Sequence, residues 1–110
     1  METIQWYQYI AAFFAGVILT NAVPHFTHGI SGDKFPTPFS KPHGKGLSSP
    51  MVNTLWACFN LAVGYILFRE SEVSSNNEIL LIIFFIGIVS QSVMHTIIFS
   101  KKQKDNGTDQ

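Results

Sequence analysis

The sequence predicts an all-α membrane protein of three transmembrane helices, with an ordered non-helical connector between the first and the second. Three apolar windows contain no Asp, Glu, Lys or Arg, and each is long enough to cross a hydrocarbon core of about 30 Å. Charged residues make up 13% of the chain, about half the share of a soluble globular protein. A soluble helix keeps a charged face, which these windows lack, so we expect lipid around them.

The predicted spans cover residues 4–23, 51–68 and 79–99. With the connector, 24–50, they make one domain over residues 1–100, and the polar tail 101–110 is expected to be disordered. The leading segment METIQ has an acid and no Lys or Arg, unlike a signal peptide, so the first span is expected to be retained.

Turn and cap residues set the predicted helix ends. Pro24 is expected to disfavour continuation of the first helix, because proline lacks a backbone N–H and clashes with the preceding turn. Gly29 is expected to end any turn that continues past it. Ser49 followed by Pro50 is typical of an N-cap and a first helical position, and predicts the start of the second. Asn76 or Asn77 is the predicted cap of the third helix, with Glu78 in its first turn.

Lysine distribution predicts the orientation. Three spans place the connector and the tail on one side, and the N-terminus and the loop RESEVSSNNE on the other. The connector and tail carry Lys34, Lys41, Lys45, Lys101, Lys102 and Lys104. The opposite side has only Arg69, so the positive-inside rule predicts an external N-terminus and a cytoplasmic connector and C-terminus.

Each span carries one stripe of small or polar residues. The stripes are Ala12, Gly16 and Thr20; Asn53, Ala57, Asn60 and Gly64; and Gly87, Gln91 and His95. Membrane helices associate through such residues, so we expect one bundle with an intramembrane polar seam at Asn53, Asn60 and Gln91. These residues either join the helices or line a small polar site, since intramembrane amides need partners.

Three histidines are candidate metal ligands. His25 and His28 lie three apart after the first span, and His95 lies about 6 Å inside the third, at a similar depth. With His43 or Asp33 as a fourth ligand they would suit zinc, copper or non-haem iron, and two of them would suit haem. The alternative is a structural role, with His95 bonded to Asn53 or Thr54.

The connector holds a second candidate site. Its phenylalanines and prolines are unlike a disordered tether and predict an ordered segment over the inner mouth of the bundle. Lys41, His43 and Lys45 are candidate ligands for a lipid headgroup or small anion.

Several function classes are excluded or disfavoured. Zero net charge with dispersed lysines disfavours nucleic-acid binding, and a single cysteine, Cys58, excludes an internal disulfide or CxxC pair. No span contains a carboxylate, which argues against proton-coupled transport, and none contains an arginine, which argues against voltage sensing.

The block PHFTHGISGDKFPTPF…GKGLSSPMVNTLW resembles a group of small bacterial integral membrane proteins with a similar block after the first span. The resemblance covers roughly residues 21–64. It implies a bacterial inner-membrane setting and transfers no catalytic residue.

The sequence therefore favours a multi-pass, non-enzymatic accessory or interaction subunit, in contact with lipid and either homo-oligomeric or bound to a larger membrane protein. The alternatives are a metal- or haem-binding membrane protein and a binder of lipid headgroups or small anions.

Overall fold

The structure, a computed structural model, consists of three long helices: α1 (Trp6–Ile30), α2 (Pro50–Ser71) and α3 (Glu78–Asp105). It describes the backbone of residues 3–42 and 46–105, with side chains through Lys101. All three helices are long and apolar enough to cross a membrane. The predicted fold class is confirmed.

The first helix extends beyond its predicted end. Pro24 lies inside α1, which continues to Ile30. A membrane helix tolerates proline where neighbouring elements support the freed backbone. Here the turns after Pro24 pack on α2, and Gly29 brings the two backbones so close that a Cβ would collide with Thr54. The predicted boundary at residue 24 is therefore wrong, and the connector begins at residue 31.

The other helix ends follow the predicted signals more closely. Ser49 accepts a hydrogen bond at Oγ from the Val52 N–H, 3.1 Å away, and Pro50 is the first residue of α2. α3 begins at Glu78 as expected but continues to Asp105. Lysine and glutamine are good helix formers, and positive charge is favourable at a helix C-terminus. Residues 101–105 are thus helical rather than disordered, and 106–110 lie outside the described residues.

The central helix is α1. It packs along both other helices, whereas α2 and α3 hardly touch each other. A groove therefore runs between α2 and α3, with α1 as its floor.

The contact between α1 and α2 repeats every seven residues. On α1 the buried positions Gln8, Ala15, Ala22 and Gly29 follow this spacing, with Ala11 and His25 between them. On α2 the buried positions are Asn53, Ala57, Asn60, Gly64 and Ser71. A seven-residue repeat keeps one stripe facing its partner in a left-handed helix pair. The stripe predicted on α2 is confirmed.

Two glycines let α1 approach α3. A Cβ at Gly16 would collide with the carbonyl oxygen of Phe84, and a Cβ at Gly87 would collide with that of Phe13. The predicted stripes that contain these glycines face each other. α1 therefore carries two stripes, one toward each neighbour, where the sequence indicated one.

The connector folds back on itself. Phe35 and Ser48 form an antiparallel bridge through backbone hydrogen bonds of 3.2 and 3.0 Å. The ring of Phe35 points into the helices, 4.7 Å from the ring of Phe99 and 5.4 Å from that of His25. This arrangement agrees with the predicted segment over the mouth of the bundle.

Candidate functional site

A cavity of about 260 Å³ occupies the groove between α2 and α3 at its connector end. Its polar lining residues are Asn21 and His25 from α1 and Gln91 and His95 from α3. Residues 36–38 of the connector close one side, and Trp56 of α2 lines another. The cavity thus lies at the point where all three helices and the connector meet.

The cavity is open toward the surface of the helices. Met94 and Ile98 line it and are 52% and 46% exposed, and Pro38 is exposed as well. Among the described residues, the lining includes no Asp, Glu, Lys or Arg. Its polarity therefore comes from uncharged amides, hydroxyls and imidazoles.

The first ring in the cavity, His25, has a tautomer fixed by its neighbours. Its Nδ1 lies 2.8 Å from Oδ1 of Asn53, and both residues are buried. Nδ2 of Asn53 faces the backbone carbonyl oxygens of Phe35, Ser49 and Ser48 at 2.9, 3.0 and 3.3 Å. Carbonyl oxygens only accept, so Oδ1 must face His25, and Nδ1 of His25 must carry the hydrogen.

The other ring nitrogen of His25 is then free. In the uncharged ring, Nε2 carries a lone pair and acts as an acceptor. No residue in the described part of the chain forms a hydrogen bond with Nε2. This nitrogen is nevertheless accessible, since the atoms that are both enclosed and unbonded do not include it. Because His25 is 4% exposed and lines the cavity, Nε2 is reached from there.

The second ring, His95, has its tautomer fixed by a relay across α2 and α1. Asn60 donates from Nδ2 to the Trp56 carbonyl oxygen at 2.7 Å, so its Oδ1 accepts from Nδ2 of Asn21 at 3.1 Å. Oδ1 of Asn21 then faces Nε2 of His95 at 2.9 Å. An amide oxygen only accepts, so Nε2 of His95 carries the hydrogen.

Gln91 completes this polar network. Its Nε2 lies 3.3 Å from Oδ1 of Asn21 and 2.9 Å from Nε2 of His95. Because Oδ1 of Asn21 requires a hydrogen on Nε2 of His95, an N–H of Gln91 at 2.9 Å would set two donors against each other. The Gln91 amide is therefore reversed, so that its oxygen accepts from Nε2 of His95. The Trp56 carbonyl oxygen thus sets the orientation of four side chains, which are Asn60, Asn21, Gln91 and His95.

Trp56 holds a donor without a partner. Its Nε1 is the one enclosed side-chain nitrogen or oxygen in residues 3–42 and 46–101 that lacks a hydrogen bond. The indole stacks on Phe59, with ring centroids 5.7 Å apart, and meets the edge of Phe39 at 5.2 Å. An enclosed N–H without a partner costs about 1–3 kcal/mol, which marks this side of the cavity as incomplete.

The three predicted metal ligands lie in one region but are engaged differently. His28 stacks on Phe35 at 4.3 Å, with Nδ1 3.4 Å from Oδ2 of Asp33. No three His, Cys, Asp or Glu side chains within the described ranges are grouped to hold a metal ion. His95 bonds Asn21 and Gln91, so the prediction that it bonds Asn53 or Thr54 is wrong.

The predicted anion site falls largely outside the described residues. Lys41 is exposed on the connector, and His43 and Lys45 lie in the segment that the structure leaves undescribed. That site stays a prediction.

The three residues of the predicted polar seam belong to two separate hydrogen-bond networks. Asn53 holds the connector and His25, whereas Asn60 and Gln91 belong to the relay that joins Asn21 and His95. Asn21 was missed because it lies beside the predicted stripe of the first span rather than in it. Its signal was its amide chemistry, since an amide inside a span requires a partner.

Comparison with known proteins adds no relative. No family model, no curated protein and no solved structure matches the chain. The chemistry of the site therefore rests on its own residues: an uncharged cavity with one free acceptor, one enclosed free donor and two rings of fixed tautomer.

Proposed function

We propose that the protein is a non-enzymatic interaction subunit, which assembles in the membrane with copies of itself or with a larger membrane protein. The observation that carries this proposal is the position of α3. It packs mainly against α1, with single aromatic contacts to α2 (Phe68 with Phe84) and to the connector (Phe35 with Phe99), and only 6% of its apolar 18-residue window is buried within the chain. A surface of this extent is available to a neighbour in the bilayer.

Small hydroxyl residues on α3 support the proposal. Ser92, Thr96 and Ser100 recur every four residues and are exposed. Ser92 donates to the Ile88 carbonyl at 2.7 Å, and Thr96 donates to the Ser92 carbonyl at 2.9 Å. These hydroxyls are satisfied within their own helix, so the stripe is compatible with lipid. It also allows the close approach by which membrane helices associate.

The proposed setting is a bacterial inner membrane, with the connector and the end of α3 in the cytoplasm. The lysine distribution supports this orientation, since six of the seven basic residues belong to those two segments. The cavity would then lie at the cytoplasmic end of the bundle.

Photo-crosslinking from α3 tests the proposal. Cys58 is first replaced by serine, and Ser92→Cys then introduces a single cysteine. This cysteine is labelled with benzophenone maleimide in native membranes. Ser90→Cys is the matched control, since it is the same exposed change on nearly the opposite side of the helix. We expect a discrete crosslinked product from position 92. Its mass should be twice that of the chain if the protein assembles with itself, and another value if it binds a different membrane protein. Equal, diffuse labelling from both positions would contradict the proposal.

A further inference from the structure

We infer that the cavity binds the hydroxyl-bearing headgroup of an uncharged amphiphile, which enters from the bilayer between α2 and α3 and donates to Nε2 of His25. This site adjoins the proposed assembly surface, because His95 of the cavity and Thr96 of that surface line one shallow pocket on α3. The inference does not depend on the proposed assembly.

The charge of the lining selects an uncharged ligand. Within the side chains that the structure describes, residues 3–42 and 46–101, no carboxylate, ammonium or guanidinium lines the cavity. An ionised phosphate or amine would lose its hydration without gaining a counter-charge, at a cost of several kcal/mol. Phospholipid headgroups are therefore poor candidates, whereas glycerol-type and phenolic hydroxyls need no counter-charge.

The free ring nitrogen selects a hydrogen-bond donor. Because Nδ1 of His25 is committed to Asn53, Nε2 can only accept in the uncharged ring. An ester or keto oxygen has nothing to donate to it, but a hydroxyl does.

The position and size of the cavity fit a headgroup rather than a whole lipid. Asn21 and His25 lie about 14 and 8 Å from the Ile30 end of α1, near the depth of lipid ester and glycerol groups. A volume of about 260 Å³ is small for a complete ligand pocket. Apolar chains would therefore lie outside, across the exposed Met94 and Ile98.

Fluorescence of Trp56 provides a direct test. The chain has two tryptophans, so Trp6→Phe leaves Trp56 as the sole indole. The protein is placed in phosphatidylcholine nanodiscs and titrated with 1,2-dioctanoylglycerol. The matched ligand is the same lipid with its free hydroxyl acetylated. We expect a saturable change in emission with the first lipid and binding weaker by about tenfold or more with the second, as for loss of one buried hydrogen bond.

Two variants locate the acceptor. In His25→Asn, the amide nitrogen takes the place of Nδ1 and keeps the bond to Asn53, while Nε2 is removed. His28→Asn is the matched control, because it is the same change at a half-buried ring that does not line the cavity. We expect His25→Asn to bind the diglyceride about tenfold more weakly and His28→Asn to bind within about threefold of the parent protein.

Several results would overturn the inference. Two of them are binding results: equal binding of the free and acetylated lipids, and unchanged binding in His25→Asn. The third is the lack of a saturable signal, as expected if only water fills the cavity. The fourth is a stoichiometric transition metal in the parent protein that is lost in His25→Asn. If His25→Asn does not fold, the comparison of the two lipids on the parent protein still decides.

Discussion

Nδ1 of His25 and Oδ1 of Asn53 lie 2.8 Å apart in the buried contact between α1 and α2. Through the same amide, Asn53 donates toward the backbone carbonyls at residues 35, 48 and 49. The pair thus joins two helices to both ends of the connector, and it sets which nitrogen of His25 faces the cavity.

The first prediction concerns the connector. Asn53→Asp places an oxygen where the amide nitrogen faces three carbonyls, so the connector should lose its attachment to α2. We expect a local cost of about 1–3 kcal/mol and trypsin cleavage after Lys34 about tenfold to a hundredfold faster. Asn76→Asp, the same change in an exposed loop, is the control. Identical cleavage rates in the two variants would show that Asn53 does not hold the connector.

The second prediction concerns the contact of α1 with α3. Gly87→Ala adds a methyl group against the backbone carbonyl of Phe13, so the helices must separate. We expect a loss of about 1–3 kcal/mol in the free energy of unfolding, measured by denaturant titration in detergent. Ser90→Ala, on an exposed side of the same helix, should change it by less than about 0.5 kcal/mol. A Gly87→Ala protein as stable as the Ser90→Ala protein would rule out this close approach.

The third prediction concerns the relay between Asn60 and Asn21. Leucine has the same branching and the same number of side-chain heavy atoms as asparagine, so Asn21→Leu and Asn60→Leu remove the hydrogen bonds and keep the side-chain shape. A double-mutant cycle on the unfolding free energy should give a coupling of about 0.6–2 kcal/mol, the range for hydrogen bonds between membrane helices. Additive losses would mean that the two amides do not interact.

The fourth prediction concerns the two histidine tautomers. Nitrogen-15 NMR of the labelled rings should show hydrogen on Nδ1 of His25 and on Nε2 of His95, because backbone carbonyls orient the amides that face them. Asn60→Leu should disturb the ring of His95 and leave that of His25 unchanged. Finding the same tautomer at both positions would contradict the hydrogen-bond assignments.

The parts of the fold that the sequence predicts are those fixed by local chemistry. Long segments without charged residues predict the three helices. The hydroxyl of Ser49, followed by Pro50, predicts the start of α2. The 4,3,4 spacing from Asn53 to Gly64 gives the face of α2 toward α1, because spacing alone decides which side chains share a helix face.

The parts that the sequence does not predict depend on neighbours distant in the chain. Pro24 would end an isolated helix, but the packing of Gly29 on Thr54 carries α1 past it. The bond between His95 and Asn21 joins residues 74 positions apart, and depth in the membrane gives no information on helix rotation. The cavity arises because α2 and α3 each pack on α1 and have little contact with each other.

The central claim is that three helices cross the membrane and leave the connector, with its cavity, on the cytoplasmic side. Labelling of single cysteines by a membrane-impermeant maleimide in intact cells tests it most directly. In a Cys58→Ser background, Ser75→Cys reports on the loop before α3, and Ser31→Cys reports on the start of the connector; both positions are exposed. We predict that Ser75→Cys is labelled in intact cells and Ser31→Cys only after the membrane is permeabilised. The reverse pattern, or labelling of both in intact cells, would contradict the account.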